Sequence, residues 1–179
     1  DTGITWTNRV LGTNNDLYGV AYGGGNFVAV GTRGAIVTSS DGINWSNRVS
    51  GVTNLLRGVA YGDGLFVAVG HNGTILNSAN GIDWNNSNAG TTNSLFGVGH
   101  GNGNFVAVGG IGTILTSTNA VDWSRQYSGV SNNLFSVAFS GERFVATGLA
   151  GTILYSGNPP PPGLTAVHYG ATGFQLTAT

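Results

Sequence analysis

A single period governs this chain. Trp6, Trp45, Trp84 and Trp123 stand 39 residues apart. The segment LYGVAYGGGNFVAVG at 17–31 returns as LRGVAYGDGLFVAVG at 56–70, LFGVGHGNGNFVAVG at 95–109 and LFSVAFSGERFVATG at 134–148. GAIVTS at 34–39 returns as GTILNS, GTILTS and GTILYS, the last ending at Ser156. No insertion or deletion breaks the spacing, so residues 1–156 hold four whole repeats, permuted to start inside one. A fixed period of this length means that each unit buries its apolar face against its neighbours. Most folds are excluded before any single residue is weighed.

Each repeat contains four short apolar or alternating runs separated by glycine-rich turns, and none has the 3.6-residue period of a helix. Four antiparallel strands every 40 or so residues are the pattern of a β-propeller blade. The chain is therefore expected to be all-β, a propeller of four blades over residues 1–156. Five blades, or an open part of a larger propeller, are the alternatives. Residues 4–10, ITWTNRV, hold the fourth strand that the last repeat lacks, so they are expected to pair beside 150–156 and close the ring. Prolines 159–162 stand where that strand would otherwise be, and residues 157–163 read as a stiff linker. Residues 164–179, LTAVHYGATGFQLTAT, align with a repeat's first two strands. They are expected to form a hairpin that opens a further β module or a degenerate fifth blade, and to pair outside the ring with a neighbouring subunit or with a domain absent from this chain.

Composition narrows the function classes. Only 7% of residues are charged, the formal net charge is −1, and the six basic residues, all arginines, are scattered. No basic footprint for nucleic acid is present. No run of 18 apolar residues could span a bilayer as a helix. Without cysteine there is neither a disulfide framework nor a thiolate metal site. His71, His100 and His168 fall in different repeat columns without an i,i+4 partner, so no metal or cofactor is expected.

The phrase SSDGINW at 39–45 recurs as SANGIDW at 78–84 and STNAVDW at 117–123. Ser39, Asp41, Gly42 and Trp45 therefore correspond to Ser78, Asn80 and Trp84, then to Ser117, Asn119 and Trp123, with Trp6 in the clipped first copy. A general acid or metal ligand would not survive exchange of Asp for Asn, whereas an oxygen that accepts backbone N–H bonds would. These residues are expected to brace turns and pack blades. Two variable columns are candidates for ligand contact: Tyr18, Arg57, Phe96 and Phe135; and Arg9, Arg48 and Gln126, with Ser87 among them. The column Tyr22, Tyr61, His100 and Phe139 reads as packing between blades.

The phrase S-x-D-G-x-x-W after G-T-I-L resembles the Asp-box, or BNR repeat, of sialidase-like propellers, with one residue fewer between acid and tryptophan. The longer pattern FVAVG…GTIL-x-S-x-D-G-x-x-W is similar to repeats of bacterial secreted propellers. The resemblance covers residues 1–156 and implies a propeller at the bacterial cell surface or outside the cell. Sialidase activity would require clustered arginines and a tyrosine nucleophile beside a carboxylate; the six dispersed arginines do not supply that cluster. The expected function is a non-catalytic binding or structural module that recognises glycan or protein through its loop faces. It could also assemble as a homo-oligomer or with further domains; the alternative is a fragment of a sialidase-like glycoside hydrolase.

Overall fold

A computed structural model describes residues 5–9, 13–157, 164–165 and 177–178. Each repeat folds into one antiparallel meander. Blade 1 contains β1 (Leu17–Gly23), β2 (Asn26–Gly31), β3 (Ile36–Ser39) and β4 (Ser46–Arg48). Blade 2 contains β5 (Leu56–Gly62), β6 (Leu65–Gly70), β7 (Ile75–Ser78) and β8 (Asn85–Ser87). Blade 3 contains β9 (Leu95–Gly101), β10 (Asn104–Gly109), β11 (Ile114–Ser117) and β12 (Ser124–Gln126). Blade 4 has three strands, β13 (Leu134–Phe139), β14 (Phe144–Gly148) and β15 (Ile153–Tyr155). Within each sheet the strands pair in chain order.

Local chemistry explains the strands and their turns. The first hairpin turns at Gly24–Gly25, Asp63–Gly64 and Asn102–Gly103 with positive φ at both residues. That geometry matches the right-handed twist of the flanking strands and suits Gly, Asn and Asp. At the other end of the second strand, Gly31, Gly70, Gly109 and Gly148 are obligatory. A Cβ there would lie 1.9–2.2 Å from the carbonyl oxygen of Asp16, Leu55, Ser94 or Asn133. The same backbones are held by short bonds: His71 N–H donates to Leu55 O at 2.9 Å and Leu149 N–H to Asn133 O at 2.9 Å.

The core lies between blades. Val28, Val30 and Ile36 of blade 1 pack against Leu56, Val59, Phe66 and Ala68 of blade 2, with Trp84 alongside. Val67, Val69 and Ile75 meet Leu95, Phe105, Ala107 and Leu115 of blade 3, with Trp123 alongside. Val106 and Val108 meet Leu134 and Ala146 of blade 4. The first strands of successive blades run side by side, β1 against β5, β5 against β9 and β9 against β13, and so form the inner rim. On that rim a ring from each blade covers a glycine of the blade before it. Tyr61 lies over Gly23, His100 over Gly62 and Phe139 over Gly101, where a Cβ would meet ring carbons.

The four blades form an open arc, which corrects the expected ring closure. Residues 5–9 lie in no strand, and β15 has no partner on its outer edge among the described residues. Thr7, Asn8 and Arg9 instead border the same surface hollow as Leu17, Tyr18 and Val20 of blade 1. Val20 at one end of the arc is 65% exposed and Ile153 at the other is 69% exposed. The segment of residues 5–9 thus lies beside blade 1, at the end of the arc away from blade 4. Beyond the blades, β16 (Leu164–Thr165) pairs antiparallel with β17 (Thr177–Ala178) as a separate two-stranded sheet. The rest of the expected linker and hairpin, residues 158–163, 166–176 and 179, lies outside the described residues, as does any pairing of that segment with a neighbouring subunit.

Candidate functional site

The residues Tyr18, Arg57, Phe96 and Phe135 share a backbone origin. The register of each first hairpin slips by one residue at this point, between Leu17 and Gly19, Leu56 and Gly58, Leu95 and Gly97, and Leu134 and Ser136. Each of the four is thus the extra residue of a β-bulge, a device that re-aims a side chain out of the regular pleat. Four bulges in register place the four side chains in one continuous row along the inner rim. The Arg57 guanidinium carbon lies 5.1 Å from the Tyr18 ring centroid and 5.9 Å from that of Phe96. Phe96 and Phe135 stand 5.6 Å apart, and His71 meets the edge of Phe96 at 6.4 Å. Tyr18 and Phe135, at the ends of the row, are 48% and 43% exposed. Among the described residues no carboxylate pairs with Arg57. The row therefore offers π faces around one cation that is not neutralised. His71 is a member that the sequence did not mark, because its column holds Thr32, Gly110 and Leu149 elsewhere.

The opposite end of the blades carries the Ser-x-Asp/Asn turns. Asp41 Oδ1 accepts bonds from Ile43 N–H and Asn44 N–H at 2.8 Å, and Asp41 Oδ2 accepts from Asn44 Nδ2 at 2.8 Å. Ser39 Oγ accepts from Gly42 N–H at 2.9 Å, and Trp45 Nε1 donates to Gly42 O at 3.2 Å. Asn80 Oδ1 takes the same place beneath Ile82 and Asp83, and Asn119 Oδ1 beneath Val121 and Asp122. Ser78 Oγ accepts from Gly81 N–H at 2.8 Å, and Ser117 Oγ from Asn119 N–H at 3.3 Å. Trp84 and Trp123 donate to Gly81 O and Ala120 O. The bonds from Asn44 N–H, Ile43 N–H and the Asn44 amide hold the Asp41 carboxyl well below the usual carboxylate range. Every one of these oxygens is engaged within its own turn.

Of the other candidates, Arg48 and Gln126 bond within their own blades and Ser87 of blade 2 reaches blade 3. Arg48 Nε donates to Thr38 Oγ1 at 2.7 Å and Gln126 Nε2 to Thr116 Oγ1 at 2.9 Å, while Ser87 Oγ donates to Ala120 O at 3.0 Å. Arg9 is exposed beside blade 1. His100 Nε2 meets Asp63 Oδ2 at 3.0 Å across the joint of blades 2 and 3. No group of three His, Cys, Asp or Glu is placed to hold a metal among the described residues.

A hollow of about 540 Å³ lies between blades 3 and 4, lined by Val106, Val108 and Ile114 on one side and Val137, Phe144 and Leu154 on the other. The two preceding wedges hold Trp84 and Trp123 against their cores. The third core has no tryptophan.

No family model and no curated protein sequence matches the chain. Solved structures do. A computationally designed protein, Ika4, superposes with a TM-score of 0.68 at 13% identity, over 80% of this chain and 92% of that one. YCF48 from Cyanidioschyzon merolae superposes at 0.67 with 17% identity, over 84% of this chain and 56% of that one. YCF48 bound to D1 peptide superposes at 0.65 with 19% identity, over 88% of this chain and 55% of that one. The chain thus spans little more than half the length of the YCF48 structures it matches. At these identities the likeness defines the fold, and the fold is a β-propeller.

Proposed function

We propose that the chain is a non-catalytic binding module that holds an extended, acid-bearing protein segment along the inner-rim row. The observation that carries this reading is the placement of Arg57 between the rings of Tyr18 and Phe96. A guanidinium flanked by π faces is pre-organised, and it presents a fork to a carboxylate while the rings take apolar side chains on either side. A peptide complex of YCF48, which shares the fold, supports the same use of a propeller here. The repeat phrase and its turn bonds support an Asp-box origin, and with it a setting at the bacterial surface or outside the cell.

The test is a set of extended peptides of matched length, with and without one acidic residue, read by fluorescence anisotropy. Acidic apolar peptides are expected to bind, and both Arg57→Ala and Phe96→Ala are expected to weaken binding about tenfold, or ~1.4 kcal/mol. Binding unchanged by both substitutions would overturn the reading. The exposed rings of Tyr18 and Phe135 would also suit a sugar face, so a glycan array on the same variants separates the two ligand classes. On this reading, a panel of chromogenic glycosides is left unhydrolysed; turnover would return the glycoside-hydrolase alternative.

A further inference from the structure

We propose that the hollow between blades 3 and 4 is the seat of Trp6 from a second copy of this chain, and that two copies close into one ring. Three observations converge on it. The first is an exposed tryptophan. Trp6 is 94% exposed, whereas its repeat mates Trp84 and Trp123 lie against the cores of the first and second wedges. The second is the unfilled wedge. Its walls are Val106, Val108 and Ile114, the same columns as Val28, Val30 and Ile36, which border the Trp84 wedge. The third is an exact count between two unpaired edges. In blade 1, β3 pairs with β4 as Ile36↔Arg48, Val37↔Asn47 and Thr38↔Ser46. Three periods on from β3, the edge of β15 that has no partner among the described residues offers Ile153, Leu154 and Tyr155, and one period back from β4 the segment of residues 5–9 offers Arg9, Asn8 and Thr7.

Within one chain these partners sit at opposite ends of the arc, so a second copy supplies the strand. The nine-residue span from Arg9 to Leu17 equals in length that from Arg48 to Leu56, so the donor's blade 1 follows directly onto the recipient's blade 4. Its Tyr18, Val20 and Tyr22 would cover Val145, Ile153 and Tyr155, all of which are exposed in the single chain. Two copies make eight blades with two equal head-to-tail joints; eight is within the range of propellers and twelve is not. The joint between copies differs from the internal ones. Ser136 and Ser140 stand in the columns of Gly97 and Gly101, where the next blade approaches closely. The added Cβ atoms would hold the inner strands there further apart, which would make this joint the one at which the ring opens.

Light scattering on the intact chain is expected to give the mass of two chains. Trp6→Ala is expected to weaken the association at least tenfold while leaving the circular dichroism of the single chain unchanged, since the side chain touches little of its own fold. The chain has no cysteine, so Arg9→Cys and Ile153→Cys can be made as separate variants, mixed, and oxidised. A disulfide-linked pair in the mixture supports exchange between copies. A single-chain mass overturns the proposal and leaves the two faces to further blades of a longer chain. An association indifferent to Trp6→Ala, or an internal disulfide in a monomeric double variant, also overturns it.

Discussion

At the scale of the residue, the repeated turn shows how sequence variation can preserve a hydrogen bond. Asp41 accepts from the Asn44 amide in blade 1. In blade 2 the roles are exchanged, with the Asn80 amide donating to Asp83 at 2.9 Å, and blade 3 repeats that arrangement with Asn119 and Asp122. The acid moves across the turn while the donor–acceptor pair stays. Asp41→Asn alone sets two amides face to face and is expected to lower the melting temperature; Asp41→Asn with Asn44→Asp is expected to restore it. The pH dependence has a definite sign. The carboxyl of Asp41 is depressed by folding, so its support is present above the ordinary carboxylate range and is lost as pH falls through the depressed value. A carbon-detected NMR titration should show the Asp41 carboxyl titrating below the ordinary carboxylate range, and titration within that range would refute the bond pattern. Glycine sets the second constraint at this scale. Gly70→Ala would drive a Cβ to 2.2 Å from Leu55 O and is expected to cost about 3 kcal/mol in urea unfolding.

At the scale of the element, the four tryptophans occupy one sequence column and three different environments. Trp84 and Trp123 fill wedges, Trp45 is half-buried beside Phe27 on the outer face of blade 1, and Trp6 is in solvent. Alanine substitutions in the single chain are therefore expected to rank accordingly. Trp84→Ala and Trp123→Ala should each cost about 3 kcal/mol, Trp45→Ala less, and Trp6→Ala nothing measurable in urea midpoints. Equal losses at all four would show a closed ring. This ranking also marks where sequence reading ends. The strands were legible because the 39-residue spacing and the glycine turns repeat without a break. The destination of residues 5–9 was not, because it depends on whether the two ends of the blade array meet, which no local pattern encodes. The bulges at Tyr18, Arg57, Phe96 and Phe135 were equally hidden. An extra residue in every repeat leaves the period intact, so the spacing marks the column as variable without revealing its bulge.

At the scale of the whole molecule, an open arc is a one-dimensional array in which each blade is stabilised by its neighbours alone. Blades 2 and 3 have two neighbours and hold the fully buried residues Val67, Phe66, Leu95 and Ala107. Blade 4 has one neighbour, three strands and a bare outer edge, so its strands belong to the low end of local stability. Hydrogen exchange at high dilution is expected to be slowest at Val67–Val69 and Ala107–Val108 and fastest at Ile153–Tyr155. Raising the chain concentration adds a term that the array alone does not have. If a second copy supplies the strand at Thr7–Arg9, the amides on the free edge of β15 gain bonded partners, and the melting temperature rises with concentration by mass action. Slowing confined to β15, the segment 7–9 and the facing strands of blades 1 and 4 would locate the joint. Exchange that is slow in blade 4 even at high dilution would mean that the single chain closes on itself.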